Sequence, residues 1–548
     1  MNSPKIPARV FHRHDEAYRW KLWVKVLSRD NLLYYHFFWK RIGVFLAVLL
    51  GTGYLTATVG AWYNIVHRHG YYELGFADFI LPWRWDQYRK VVDARYLRQG
   101  RQELEKGDPA AALNYFNPLL NFEPGNLENR RLAAQAQYQL GFKSVALDIL
   151  RAGLTQAANA GDEAYLRAYF PIAFEEQADD EAFDLARRLL PAQPDGTAFH
   201  RFVALQAATA RYNRRHDIEA EQILDSWKLR DTPEGEVLYA FCNAERGLRL
   251  PALVRLKQDL ERFPKTDAIY LAIERLAREE GRPMEVRLFA LLRVIDEPKD
   301  PQTRIDLLEA DRTLNRKAEL HKEIDLYCFD FKSDLHALAL LAEFAAAGGD
   351  PDTAEQARDQ AQAAGGADVE FDLAVAEAAI AAQDYPRALR AVARAQADSG
   401  GGNQDYETTF DGFKTVAQFG AQDSSAELAF TDFLPRAGAL RPAVGLFLVQ
   451  QLSRGGFTEP SRQLLERICS EHPDDQPALA ELIRSDAAAH DRAGLVANLP
   501  QFLKMRKPPE DALEASLPCL DPVKDAALRA GVTDALGDIR SAPASPGT

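Results

Sequence analysis

Two hydrophobic patterns divide the chain. From Ile42 to Val66 it runs 25 residues without a charge, IGVFLAVLLGTGYLTATVGAWYNIV. About twenty apolar residues at 1.5 Å rise cross a bilayer core, so this run predicts a transmembrane helix. Lys40 and Arg41 close one end and His67, Arg68 and His69 the other, with Phe38, Trp39, Trp62 and Tyr63 placed as an interfacial aromatic belt. The run is too long and begins too late for a cleaved signal peptide, and no A-x-A site follows it. Beyond about residue 91 the pattern changes. Apolar residues recur at three- and four-residue steps in short segments punctuated by Gly, Asp and Pro, which predicts helix after helix and almost no strand.

The helical part repeats with a period of 34 residues. Gly100, Leu104, Gly107, Ala112, Leu113 and Phe116 advance onto Ala134, Tyr138, Gly141, Ala146, Leu147 and Leu150. Far downstream Ala342, Asp350, Ala354, Ala357 and Ala361 advance onto Ala376, Asp384, Ala388, Ala391 and Ala395. Small meets small and large apolar meets large apolar. Such a unit is two short amphipathic helices packed antiparallel. Small residues let the axes approach, a bulky residue fills the gap to the next unit, and Gly or Asp makes the turn. One unit cannot bury its own face, so units must stack. The segments ALDILRAGL, DDEAFDLARRLL, IEAEQILDSW, PALVRLKQDLERF, PMEVRLFALLRVI and SSAELAFTDFL read as further second helices, with loops at Ala192–Gly196, Glu297–Pro301 and Ser399–Asn403.

This pattern resembles the tetratricopeptide repeat family, specifically over residues 91–154 and 335–396 and more faintly through the rest of 155–505. Tyr96 stands where the family usually has Trp, and Glu103 where it usually has Tyr. The expected fold class is therefore all-α, an α-solenoid of stacked helical hairpins behind a single N-terminal transmembrane helix. The expected organisation is a basic aromatic segment (1–41), the span (42–66), an aromatic juxtamembrane linker (67–90), the repeat array (91–396), a Gly-rich break (397–405), degenerate repeats (406–507) and a C-terminal tail (508–548) disordered at its end.

Charge sets the expected orientation. The chain carries −14 overall, yet residues 1–41 hold nine Lys or Arg against three acids. A basic head on an acidic body puts the N-terminus in the cytoplasm by the positive-inside rule. In a bacterium the body is then periplasmic and the protein a single-pass inner-membrane one. The acidic balance argues against nucleic acid, which needs a basic face. Trp20, Trp23, Val24 and Leu27 follow a helical spacing, so Tyr18–Arg41 reads as an amphipathic stretch in the cytoplasmic headgroups. The run Phe76–Trp85 is expected on the outer membrane surface or packed onto the soluble part. Gly43, Ala47 and Gly51 form a file of small residues at four-residue steps, suited to packing against another membrane helix, a second copy or a partner's. Gly53, Ala57 and Ala61 form a second file.

Candidate chemistry adds little. There is no G-x-x-x-x-G-K-[ST], G-x-S-x-G or H-E-x-x-H motif, and Gly400–Gly402 follows no strand. His12–Asp15 and His67–His69 fall short of three or four convergent metal ligands. Cys242, Cys328, Cys469 and Cys519 are far apart and read as free thiols, with Cys469 and Cys519 the one pair worth testing. The acidic pairs Glu175-Glu176, Asp179-Asp180-Glu181, Glu279-Glu280 and Asp474-Asp475 read as solvated helix ends. The expectation is a non-enzymatic scaffold without cofactor, metal or catalytic residues, binding protein partners in a membrane complex. The family resemblance implies envelope assembly, secretion or polysaccharide export. The alternatives are an accessory subunit in cytochrome maturation or glycan synthesis, though C-x-x-C-H is missing, or an adaptor facing the cytoplasm. Long polar side chains on the first helices of the first two units, Arg98, Gln102, Arg131 and Gln135, are the candidate partner-binding residues.

Overall fold

The computed structural model describes residues 22–27, 33–68, 74–81, 84–366, 369–399 and 404–540. Residues 1–21, the Gly400–Gly402 run and the end at 541–548 lie outside the described residues, as does the His12–Asp15 cluster. By contact density the chain forms two units, residues 1–172 and 173–548.

The first unit opens with a hairpin in which β1 (Trp23–Leu27) pairs antiparallel with β2 (Leu33–Phe37), Trp23 opposite Phe37 and Leu27 opposite Leu33. The helical spacing of Trp23, Val24 and Leu27 therefore misled: Trp, Val, Val and the following Tyr pair are strand formers, and cross-strand packing such as Trp23 on Tyr35 at 5.4 Å decides the conformation. Helix α1 (Trp39–Tyr63) follows and continues as a wider turn over Asn64–Arg68. Together they give one apolar helix long enough to cross a membrane, with almost no residue of its apolar window covered. The short α2 (Phe76–Ile80) turns back along it. Tyr54 donates its hydroxyl to the Ile80 carbonyl at 2.8 Å, Trp62 meets Phe76 edge-on, and Thr58 is covered. So the juxtamembrane run packs on α1.

Helices α3 (Trp85–Glu105), α4 (Pro109–Phe122), α5 (Leu127–Gln139), α6 (Lys143–Arg151), α7 (Leu154–Ala160) and the start of α8 (Glu163–Glu175) complete the first unit. The 34-residue frame is visible in its packing. Gly100 lies against the ring of Phe116, and a Cβ there would enter that ring's space. Ala112, Phe116, Ala134, Ala146, Leu147 and Leu150 are all buried. Gly107 and Gly141 make the intra-pair turns at φ +81° and +85°, a region that favours glycine. Asp108 caps α4 by accepting the Ala111 N–H.

The second unit continues the same grammar through α9 (Asp179–Leu189), α10 (Ala198–Asn213), α11 (Asp217–Ser226), α12 (Pro233–Glu245), α13 (Arg249–Arg262), α14 (Asp267–Glu279), α15 (Pro283–Asp296), α16 (Pro301–Thr313), α17 (Lys317–Asp330), α18 (Leu335–Gly348), α19 (Pro351–Ala363), α20 (Val369–Ala381) and α21 (Tyr385–Asp398). Then come α22 (Gln404–Gly420), α23 (Ala426–Phe433), α24 (Pro442–Arg454), α25 (Thr458–Glu471), α26 (Gln476–Ala488), α27 (Arg492–Phe502), α28 (Glu510–Ser516) and α29 (Ala526–Arg540). All six segments read as second helices from sequence are helical. Asp350 and Asp384 cap equivalent helices 34 residues apart, and Ala354, Ala357, Ala388, Ala391 and Ala395 are fully buried. Two expectations change. One apolar core runs from Ala345 to Leu536, so the helices on either side of the Gly-rich stretch share a core. Residues 510–540 fold as helices on that core through Leu513, Val532 and Leu536, because apolar spacing outweighed the Pro-rich approach to them.

Candidate functional site

In the first unit, Arg98 and Gln102 stand one turn apart on α3, both exposed, and Arg131 and Gln135 one turn apart on α5, half-buried and exposed respectively. Arg101 pairs with Glu128 and ties α3 to α5, so the two polar stripes belong to adjacent first helices. Tyr96 is held by Tyr115 at 6.0 Å, and Lys143 sits over Tyr138 at 5.9 Å. On α1, Gly43, Ala47 and Gly51 are exposed, and a Cβ at either glycine would meet open space. These are two separate surfaces, one polar and one smooth.

The buried ionisable groups of the second unit are mostly tied to arginine. Glu236, 1% exposed, accepts a two-point bond from Arg255 at 2.8 and 3.0 Å, with Arg230 and Arg262 close by. Arg293 reaches Asp267 at 2.6 Å, Asp306 at 2.5 Å and Glu274 at 3.5 Å, linking α14, α15 and α16. Burial pushes Glu274 up to about 7, against the pull of Arg293. Burial likewise pushes Asp486 up to about 6; it lines an open cleft of about 560 Å³ with Arg462, Cys469 and Asn498. Such pairing orders helices.

The cysteines are all free. Burial pushes the thiols of Cys242 and Cys469 up to about 12 and that of Cys328 up to about 11, which keeps them protonated and poorly nucleophilic near neutrality. Among the described residues no group of three or more His, Cys, Asp or Glu is placed to hold a metal.

One polar cluster was not legible in sequence. Asp179, read as a solvated helix end, is fully buried. It accepts from Arg506 Nη2 at 2.6 Å and Nε at 3.1 Å and from Asn213 at 2.7 Å, and Arg214 lies 3.2 Å away. Next to it Lys507 bonds Glu245 at 2.7 Å and lies 3.5 Å over the Tyr212 ring. Burial lowers the Lys507 ammonium below its ordinary value, although Glu245 and Asp217 oppose this. Burial pushes Asp217 up to about 6, and its Oδ1 has no hydrogen bond. Partners up to 332 residues apart in the chain meet here, and no periodic signal announces such a pairing. The only local hint is the basic pair Arg506-Lys507 itself.

No protein-family model matches the chain, and no curated protein matches it. Solved structures similar to it include the APC/C Cut9–Hcn1 hetero-tetramer, at 14% identity over 84% of this chain and 95% of that one with a TM-score of 0.27. A tetratricopeptide repeat protein from Parabacteroides merdae matches at 10% identity over 60% of this chain and 99% of that one, TM-score 0.28. Naa15/Naa10 bound to HypK-THB matches at 13% identity over 82% and 94%, TM-score 0.23. The repeat architecture rests on the chain's own 34-residue frame and the helix pairing that realises it: an all-α array of stacked helical hairpins.

Proposed function

We propose that the chain is a membrane-anchored, non-catalytic repeat scaffold of tetratricopeptide type that holds segments of partner proteins beside a membrane. The observation that supports it most is the joining of an exposed helix (α1), without a charge from Ile42 to its end, to a long array of helical pairs within one chain. Such arrays offer extended surfaces suited to peptide-like ligands. The polar stripes Arg98–Gln102 and Arg131–Gln135, exposed but for the half-buried Arg131, supply donors and acceptors for an extended backbone on the units nearest the anchor.

The excess of Lys and Arg before α1 supports an N-terminus in the cytoplasm and an array on the far side, periplasmic if the source is a bacterium. The resemblance to the tetratricopeptide repeat family extends the proposal to a role in envelope assembly, secretion or polysaccharide export. A reporter fused at Thr548 that is active only outside the cytoplasm supports this orientation; activity only inside turns the adaptor round. Replacing Arg98, Gln102, Arg131 and Gln135 together by Ala should leave the fold intact and abolish co-purification of the main partner. If the partner stays but is lost when Gly43, Ala47 and Gly51 become Leu, recognition lies in the span.

A further inference from the structure

The Arg506–Lys507 segment is held as a ligand is held. It lies in the turn between α27 and α28, with Lys507 at φ +45°, a conformation unfavourable for a residue with a side chain. Facing it are three consecutive hairpin turns: α8–α9 (Gln177), α10–α11 (Arg214) and the end of α12 (Glu245). Gln177 accepts the Arg506 backbone N–H at 2.6 Å, and Arg214 donates to the Lys504 carbonyl at 2.8 Å. The Arg506 guanidinium spans Asp179 and the Phe174 carbonyl. The Lys507 ammonium takes Glu245 and the Tyr212 face. Two backbone points and two side chains are thus read by one notch.

The composition of this seam bears on what it is for. Desolvating ions is costly and a buried ion pair adds little net stability, so a seam of this kind contributes specificity more than strength. What paired charges and backbone clamps provide is selectivity: an Arg followed by Lys in this turn conformation satisfies Asp179, Glu245 and Gln177 together. Charge agrees, since the chain beyond residue 41 carries about twenty net negative charges and favours basic segments.

We infer that the notch lined by Gln177, Asp179, Arg214, Tyr212 and Glu245 is a recognition site for an Arg-Lys turn of a partner protein, filled in cis by Arg506–Lys507 until the partner displaces it. The inference rests on the scaffold reading and adds to it the chemistry of one bound segment and a self-occupied resting state.

A labelled peptide of the sequence Leu503–Pro509, LKMRKPP, tests this on the full chain in mild detergent. A cis segment competes at an effective concentration near the millimolar range. The peptide should therefore bind the Arg506→Ala/Lys507→Ala variant at least tenfold tighter than the wild type. It should lose that binding when Asp179→Asn and Glu245→Gln are added, and LKMAAPP should not bind. A second measurement needs no variant. Excess LKMRKPP on the wild type should speed hydrogen exchange at residues 503–507 while α9–α12 stay protected. Equal peptide affinity for wild type and the double variant, or unchanged exchange at 503–507 under saturating peptide, overturns the notch as a recognition site. Loss of the notch with the partner still captured through Arg98, Gln102, Arg131 and Gln135 leaves the scaffold reading standing; loss of both removes it.

Discussion

At the residue scale the informative groups are acids held away from water. Glu274 is 3% exposed, and its Oε1 accepts no hydrogen bond although Arg293 is 3.5 Å away, since Arg293 serves Asp267 and Asp306 first. Its carboxyl is raised from 4.5 to about 7. The folded protein then binds this proton more tightly than the unfolded chain does. Its contribution to stability is fully present below about pH 4.5, fades as the pH rises toward 7 and is flat above. A rise of that size is on the order of 3 kcal/mol. Hydrogen exchange in α14–α15 should accordingly be slower at pH 5 than at pH 8 after correction for intrinsic rate. Glu274→Gln should remove most of that difference; an unchanged pH slope in the variant would assign it to other groups. Asp179 shows the limit of reading such residues from sequence. An Asp-Asp-Glu run at the start of a helix has the signature of a solvated cap, and it takes Asn213, Arg214 and the distant Arg506 to make Asp179 a buried partner.

At the element scale the chain was largely legible, because helix pairing within a repeat is local and periodic. The correspondence of Ala354 with Ala388 and of Asp350 with Asp384 located real equivalent positions, one set buried and the other capping. Where a contact was not repeated, periodicity failed: β1 carries a helix-compatible spacing but gains its partner from β2. The close approach of α3 and α4 gives a direct test. Gly100→Ala would push a methyl group into the Phe116 ring, which is fully buried and has nowhere to turn. Overpacking costs typically about 1–3 kcal/mol, partly offset by the roughly 1 kcal/mol that Ala gains over Gly in a helix. Ala112→Trp and Ala388→Trp should be worse than Gly100→Ala. In each case hydrogen exchange should speed up in the helices flanking the change and stay as in wild type several repeats away, as a nearest-neighbour array requires. Loss of protection spread evenly from Tyr96 to Lys504 would contradict that architecture.

At the scale of the whole molecule the two hydrophobic patterns make separable claims on solvent. The array buries most of its apolar residues among its own helices, though Phe122, Ile295 and Phe329 among others stay exposed, whereas α1 leaves the run Val44, Phe45, Leu46, Val48, Leu49 and Leu50 about half exposed or more. A contiguous surface of that kind marks a membrane or protein contact. On the anchored reading, removing residues 1–68 should yield a soluble, mostly helical protein, kept in solution by its acidic balance. The part at risk is the short α2, because it is covered by α1: Phe76 rests on Trp62, and Ile80 accepts from Tyr54. Deleting α1 uncovers that face. A fragment beginning at residue 70 should consequently be stickier than one beginning near residue 90, and high-salt washing should not release it, since the attraction is apolar. Sedimentation of both fragments with and without vesicles checks this. If the shorter fragment also pellets with vesicles after the salt wash, the array itself binds lipid and a single anchor does not describe the protein.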